Sequence, residues 1–324
     1  MASWTELVKE IDSFGSDNDK KSSYINGKVD SALQEISELR SGKNVIFYAS
    51  AFLQKPMLDP MLLQITNEEI NGFMAVMHGM KFDRGLTLIL HTPGGMTNAT
   101  ESIVDYLHSK FPYIETIVPT FAMSAGTMIS LSSDKIIMGR QSQLGPIDPQ
   151  MVIGGRSVSA RSIVDQFDKA KKDINENITN AHVWAPILST LGHGLLVEAE
   201  KANDYSEKIV ESWLKRKGFS NATKIAHHFN SPSLHKSHGK RIDKNEAKSL
   251  GLNIEDLEDN QNLQEAVLTA YHAVTIIFEK SPSAKFIISN NGRKRWVKNA
   301  PSQINIPFPI PQIKGVQQVG VTFK

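Results

Sequence analysis

The chain has 324 residues, with Lys+Arg 36 against Asp+Glu 34, 40% hydrophobic residues and no cysteine. That length and apolar share suit one large α/β domain or two small ones around a sizeable core, and leave no reason to expect disorder. The near-balanced charge gives no cause to expect nucleic acid or an anionic membrane, and the missing cysteines remove disulfides, thiolate zinc sites and cysteine nucleophiles.

The start, Met1-Ala-Ser-Trp-Thr-Glu, lacks a basic-then-apolar signal pattern, and no apolar run reaches spanning length. A soluble, cytoplasmic protein is therefore expected. Residues 1–43 are polar, with apolar positions at helical spacing in 7–14 and 29–39, and read as a helical N-terminal arm suited to a subunit contact. Residues 44–51 form the first core strand. Residues 65–80, opened by Thr66-Asn-Glu-Glu69, read as an amphipathic helix with a capping-box-like start. Residues 86–90 and 116–122 are further apolar strands, with Pro119 a mild objection to the second. A helix at 97–110 separates them, and 135–139 is a fourth strand. This alternation argues for a mostly parallel sheet with helices on its faces.

Residues 151–229 read as a mostly helical insertion: an amphipathic helix from 157 to 174, a long one at 195–217 stopped by Gly218, and a shorter one at 221–229. A loop at 230–239 follows, then helices at 243–250 and 263–279. The region 301–311 holds four prolines and reads as an extended peripheral arm.

Three motifs carry the chemistry. His91-Thr-Pro-Gly-Gly95 ends a strand in a turn whose glycines let backbone N–H groups approach a ligand. Phe121-Ala-Met-Ser-Ala-Gly-Thr127 places Ser124 at a sharp strand-to-helix turn, where helix N–H groups favour developing negative charge. Leu144-Gly-Pro-Ile-Asp-Pro149 is a proline-stiffened loop carrying Asp148. No His-Glu-x-x-His, aspartate-rich loop or phosphate-binding glycine pattern appears, so neither a metal nor another cofactor is expected.

In this order and spacing the three motifs resemble the Clp protease/crotonase superfamily, and within it the SDH-type (serine dehydrogenase proteinase) serine proteases. The resemblance covers about 44–258 and implies an α/β fold built as a spiral of ββα units with helical additions. Residues 259–324 are then a C-terminal helix and Pro-rich tail. It also implies a serine peptidase acting on unfolded or short polypeptides. Clp peptidases follow their serine with a histidine and then an aspartate. Here Asp148 stands 24 residues after Ser124, and His235 and His238 precede the helix landmark Glu246-Ala-Lys-Ser-Leu-Gly-Leu252. The acid and base thus look exchanged: Ser124 attacks, His238 accepts its proton, and Asp148 orients the imidazole. His235 competes with His238 as base, or lines the site. Gly94 or Gly95 supplies one oxyanion N–H and Ala125 the other. His91 either lines the site or is structural.

The resemblance further implies a homo-oligomer, and either a separate unfoldase or regulator or substrates that need none. A Ser-Lys dyad is a rival, with Lys135 close in sequence to Ser124 and Lys169, Lys171 and Lys172 where a dyad lysine falls. So are a crotonase-type acyl-CoA enzyme, which needs only the paired N–H groups, and an inactive scaffold of the same fold.

Overall fold

The computed structural model describes residues 3–231 and 240–301. Strands β1 (Asn44–Ser50), β2 (Leu86–His91), β3 (Ile114–Val118), β5 (Lys135–Met138) and β9 (Ile254–Asp256) run parallel. Two antiparallel strands, β10 (Ser283–Ser289) and β11 (Arg295–Asn299), add to the other side of β1, giving the order β11-β10-β1-β2-β3-β5-β9. β1, β2, β3 and β10 are buried along their whole length. β1 and β2 therefore read as near-continuous apolar runs, because both faces are covered.

Alternate side chains feed two cores. Ile46, Tyr48, Leu86, Leu88 and Leu90 face α3 (Glu69–Met77), α4 (Thr97–Lys110), α5 (Ala125–Ser132), α8 (Leu195–Arg216) and α9 (Ala222–Phe229). Val45, Phe47, Ala49, Ile89 and Ile117 face α1 (Trp4–Ser13), α2 (Asn18–Leu39) and α11 (Gln261–Lys280). The helices of 1–43 thus pack on their own chain, with Leu7, Val29, Leu33 and Ile36 wholly buried. Arg40, just past α2, fastens that layer to the sheet. Its guanidinium makes paired hydrogen bonds of 2.7 and 2.8 Å to Glu115 on β3 and reaches Glu255 on β9 at 2.6 Å.

Four local differences from the sequence reading have physical causes. The strand expected at 116–122 breaks: β3 stops at Val118, and β4 (Phe121–Ala122) leaves the main sheet to pair with β6 (Gln143–Leu144). Pro119, lacking an N–H, sits at the break. The insertion opens with a hairpin, β7 (Gln150–Ile153) and β8 (Arg156–Ser159), turned by Gly154 and Gly155 at positive φ, before α6 (Ala160–Glu176) and α7 (Ala181–Ser189). α3 begins at Glu69, because Ile65 is held in a backbone bridge to Gly95. Beyond these, β10 and β11 lie where no strand was expected; Lys285 inside β10 hides its apolar character. The short helix α10 (Lys244–Ser249) forms as read, with Asp243 accepting from the N–H groups of Asn245 and Glu246. Of the Pro-rich region, residues 302 onward lie outside the described residues.

Among the described residues, no helix is long and apolar enough to cross a membrane. No group of three or more His, Cys, Asp or Glu among them is placed to hold a metal ion.

Candidate active site

Parallel strands deliver their loops to one edge of the sheet, beyond their carboxyl ends, and ligands bind there in open α/β sheets. β2 ends at His91 and β3 at Val118, so both glycine-bearing and serine-bearing turns emerge on that edge.

Ser124 immediately precedes α5, after Met123, with φ +48° and ψ −113°. A non-glycine residue at positive φ is strained, and such strain persists only where surrounding structure enforces it. The enforcement is visible. Thr92 N–H donates to Phe121 O at 3.0 Å, and Met123 N–H donates back to Thr92 O at 3.0 Å. Gly126 N–H closes onto Met123 O at 2.8 Å. Gly126 itself presses on Thr92: a Cβ there would stand 2.5 Å from Thr92 Cγ2. The small residues of α5 are therefore required by close approach to the β2 turn.

The glycine pair meets this serine turn. Gly94 has φ +103°, and a Cβ on it would lie 2.6 Å from Ser124 Cβ, 2.7 Å from Met123 O and 3.0 Å from Ala125 N. The sequence left the two glycines indistinguishable, but they differ here. Gly94 N–H donates to Thr92 Oγ1 at 3.1 Å. Gly95 N–H has no hydrogen-bond partner among the described residues, and neither has Ala125 N–H at the first position of α5. One unused backbone donor thus lies in the turn packed on the half-buried Ser124, and the other on the residue after it.

Asp148 is 1% exposed and accepts a 2.9 Å hydrogen bond from Gln150 Nε2. Its loop is fixed on every side. Leu144 pairs with Ala122 next to the serine turn. Gly145 N–H donates to Thr127 Oγ1 at 2.9 Å, and that hydroxyl donates to Ala122 O at 2.7 Å. Ile147 N–H donates to Phe229 O at 2.9 Å. Thr127 therefore ties the serine turn to the aspartate loop, a role sequence reasoning missed because a helix threonine carries no distinguishing signal.

His235 and His238 lie outside the described residues. The chain on either side of them is placed. Phe229 bonds Ile147, and Ile242 exchanges hydrogen bonds of 3.0 and 2.9 Å with Leu144. Both flanks of 232–239 are therefore attached to the stretch that carries Asp148.

His91 is wholly buried, with ring centroids 4.9 Å from Phe52 and 5.0 Å from Tyr271. Its Nδ1 lies 2.9 Å from Thr120 Oγ1, and Nε2 has no partner among the described residues. Burial pushes its pKa down to about 3, so the ring is neutral. It ends β2 as a packed side chain bonded to Thr120 in the loop after β3.

The lysines considered as dyad bases are engaged elsewhere. Lys135 begins β5, at the opposite end of the strands, and pairs with Glu255 at 2.9 Å, which raises its pKa. Lys169, Lys171 and Lys172 are exposed and lie near Asp173, Asp168 and Glu176. None of these three is enclosed by other side chains.

A family model described as ClpP-like SDH-type serine proteinase matches residues 52–289. The uncharacterized protein MJ0137 of Methanocaldococcus jannaschii is 39% identical over 92 residues, covering 28% of this chain and 32% of that relative's own length. The uncharacterized protein MJ1495 of the same organism is 27% identical over 243 residues, 74% of each chain. Among solved structures, a mutant of the 1510-N membrane-bound stomatin-specific protease aligns with a TM-score of 0.40 at 19% identity, over 63% of this chain and 79% of that one.

Proposed function

This chain belongs to the ClpP-like SDH-type serine proteinases, and from that premise we propose that it is a serine peptidase with Ser124 as nucleophile. Ser124 Oγ attacks the scissile carbonyl. A histidine takes the proton and later returns it to the leaving amine. Asp148 holds that imidazole in the required tautomer and stabilises the imidazolium. His238 is the base in this reading, with His235 the alternative. Gly95 N–H and Ala125 N–H stabilise the oxyanion, a contribution worth about 3 kcal/mol of barrier per donor by mutational precedent.

The observation that carries the reading is the contact of Gly94 with Ser124. It brings the turn that carries the unused Gly95 N–H against a strained serine, and the unused Ala125 N–H is next in the chain. An acyl-transfer site needs that combination of nucleophile and anion pocket. The substrate is a peptide or protein segment, unfolded or short, bound as an extended strand beside Gly95, where main-chain hydrogen bonding suits any sequence. The working form is a homo-oligomer, and folded substrates would need a separate unfoldase.

The test is labelling with a fluorophosphonate probe. Wild-type protein should label at Ser124, and Ser124→Ala should lose the label with its melting temperature nearly unchanged. Undiminished labelling of the variant ends the assignment. An unlabelled wild type, folded and intact, returns the fold to acyl-CoA chemistry, where the paired N–H groups act without a nucleophile.

A further inference from the structure

A buried ion pair lies on the same edge of the sheet and takes no part in the scheme above. Lys285 of β10 is 1% exposed and Glu69 at the start of α3 is 0% exposed; Lys285 Nζ pairs with Glu69 Oε1. Removing two charges from water is costly, and a buried pair is often no more stabilising than well-packed apolar side chains of the same volume. Stability alone is thus a weak reason for this pair. What it holds is more telling.

Lys285 Nζ also donates to Gln64 O at 2.9 Å. Glu69 Oε2 accepts from Thr66 N–H at 2.7 Å and from Thr66 Oγ1 at 2.8 Å. The residues before and after Ile65 are therefore both fastened to one ion pair. Ser50, opposite Lys285 in the sheet, adds a 2.6 Å bond to Leu63 O. The peptide of Ile65 has little freedom left.

Ile65 in turn grips the glycine turn. Its N–H donates to Gly94 O at 2.8 Å, and its O accepts from Met96 N–H at 2.9 Å. The fit is close: a Cβ on Gly95 would stand 2.2 Å from Ile65 O and 2.3 Å from Ile65 N. Backbone groups alternate in direction along an extended segment. With Gly94 O and Met96 N–H turned toward Ile65, Gly95 N–H is turned away from it. The chain of contacts runs from Lys285 and Glu69, through the Gln64–Thr66 backbone, to the direction in which Gly95 N–H points.

We propose that Lys285 and Glu69 are positioning residues for the oxyanion site, acting through Ile65 on the Gly94-Gly95 turn. The inference rests on the peptidase reading and deepens it. Lys285 Nζ is held by Glu69 and Gln64 O, and its part in this scheme is that of an anchor, not of a general base. An oxyanion donor contributes most when held in place before the reaction, and a shift near 1 Å costs about 100-fold.

The test uses the double variant Lys285→Met/Glu69→Leu, which removes the clamp without leaving an unpaired buried charge. Lys285→Arg, which keeps the charge and its donors, is the rescue control. In the double variant, kcat should fall about 10- to 100-fold with KM nearly unchanged. Affinity for a peptide boronate, which mimics the tetrahedral intermediate, should fall in parallel. Lys285→Arg should recover most of both. Amide hydrogen exchange at Gly95 and Met96 should quicken in the double variant. Wild-type kcat and boronate affinity in a folded double variant would overturn the inference, whatever happens to its melting temperature. If the double variant does not fold, Glu69→Gln is measured in its place. It keeps an acceptor near Thr66 and weakens the ion pair, and an unchanged kcat there likewise overturns the inference. Failure of the peptidase reading appears separately, as a folded wild type without Ser124 labelling. The exchange rates at Gly95 and Met96 then decide the clamp alone.

Discussion

The two ends of the parallel strands are built on opposite principles. At the amino end, charge is saturated: Arg40, Glu115, Glu255 and Lys135 form a connected ionic network, with Thr87 adding a 2.7 Å bond to Glu115. At the carboxyl end, bonding is left incomplete. Ser124 sits at positive φ, two amides lack partners among the described residues, and Gly94 is packed against the serine turn too closely for any side chain. The first end closes the helical layer of α2 onto the sheet. The second withholds its hydrogen bonds for something else. Polar groups left unpaired in a folded protein call for a functional explanation. The strain and the free donors fall together at one edge, where family membership leads one to look for acyl transfer.

That contrast can be broken by experiment. The largest expected effect is at the carboxyl end. Asp148→Asn should lower kcat by about 10⁴-fold through the wrong imidazole tautomer, with little loss of stability. Combining it with His238→Ala should add little beyond His238→Ala alone, because the residues act as a unit. Full activity in His238→Ala with loss in His235→Ala makes His235 the base. Turnover of a peptide substrate, checked against thermal melting, reads all of these.

Glu115→Gln is the mirror experiment at the amino end. It leaves Arg40 with Glu255 as its remaining carboxylate partner and should cost about 1–3 kcal/mol of stability, measured by urea unfolding. Specific activity of the molecules still folded should stay near wild type. A matching fall in kcat would show that the two ends are not separable.

Gly95→Ala is expected to lower kcat about 10²- to 10³-fold, because the added methyl meets the Ile65 backbone and turns the N–H aside. Because the atoms it meets are backbone, the variant should also lose stability in urea unfolding.

The smallest effect concerns His91. Its folded pKa is near 3 against an ordinary 6.5, so below pH 6.5 the unfolded chain binds a proton that the folded one refuses. The stability from keeping this ring neutral is complete above 6.5 and is lost progressively as pH falls toward 3. Near pH 5 the loss is about 2 kcal/mol. His91→Phe should flatten that part of the stability–pH profile. An unchanged profile would place the acid sensitivity in other groups.

How much of this was legible in the sequence depended on whether the signal was local. The alternation of strands and helices, the strand-to-helix turn at Ser124 and the glycine pair are carried by consecutive residues, and the parallel sheet follows from them. Donor assignment was not local. Gly94 and Gly95 look alike until Thr92 takes the N–H of one of them. The clamp was half visible: Thr66 and Glu69 have the spacing of a capping box, and the reach-back bond from Thr66 N–H forms. Its other half, Lys285, stands more than 200 positions away and disguises its own strand. The hairpin of β7 and β8 was missed because so short an alternation cannot be told from the start of the amphipathic helix that follows. The base histidines fall outside the described residues, so their assignment stays with the proposal.

The position of β10 has a consequence for the order of events during synthesis. It lies beside β1, pairing Ile46 with Ser289 and Ser50 with Lys285, so the middle of the sheet joins an early strand to a late one. Contacts this distant in sequence form late and slow a folding reaction. A nascent chain can assemble the serine turn on β2 and β3 well before β10 has left the ribosome. Until then Gln64 has no lysine to bind, and the glycine turn is held by Ile65 without its anchor. Anchoring of the glycine turn thus waits on β10, made long after the residues it holds. A peptidase of the kind proposed, acting on unfolded polypeptide, would gain its full power only after its own chain had stopped being one.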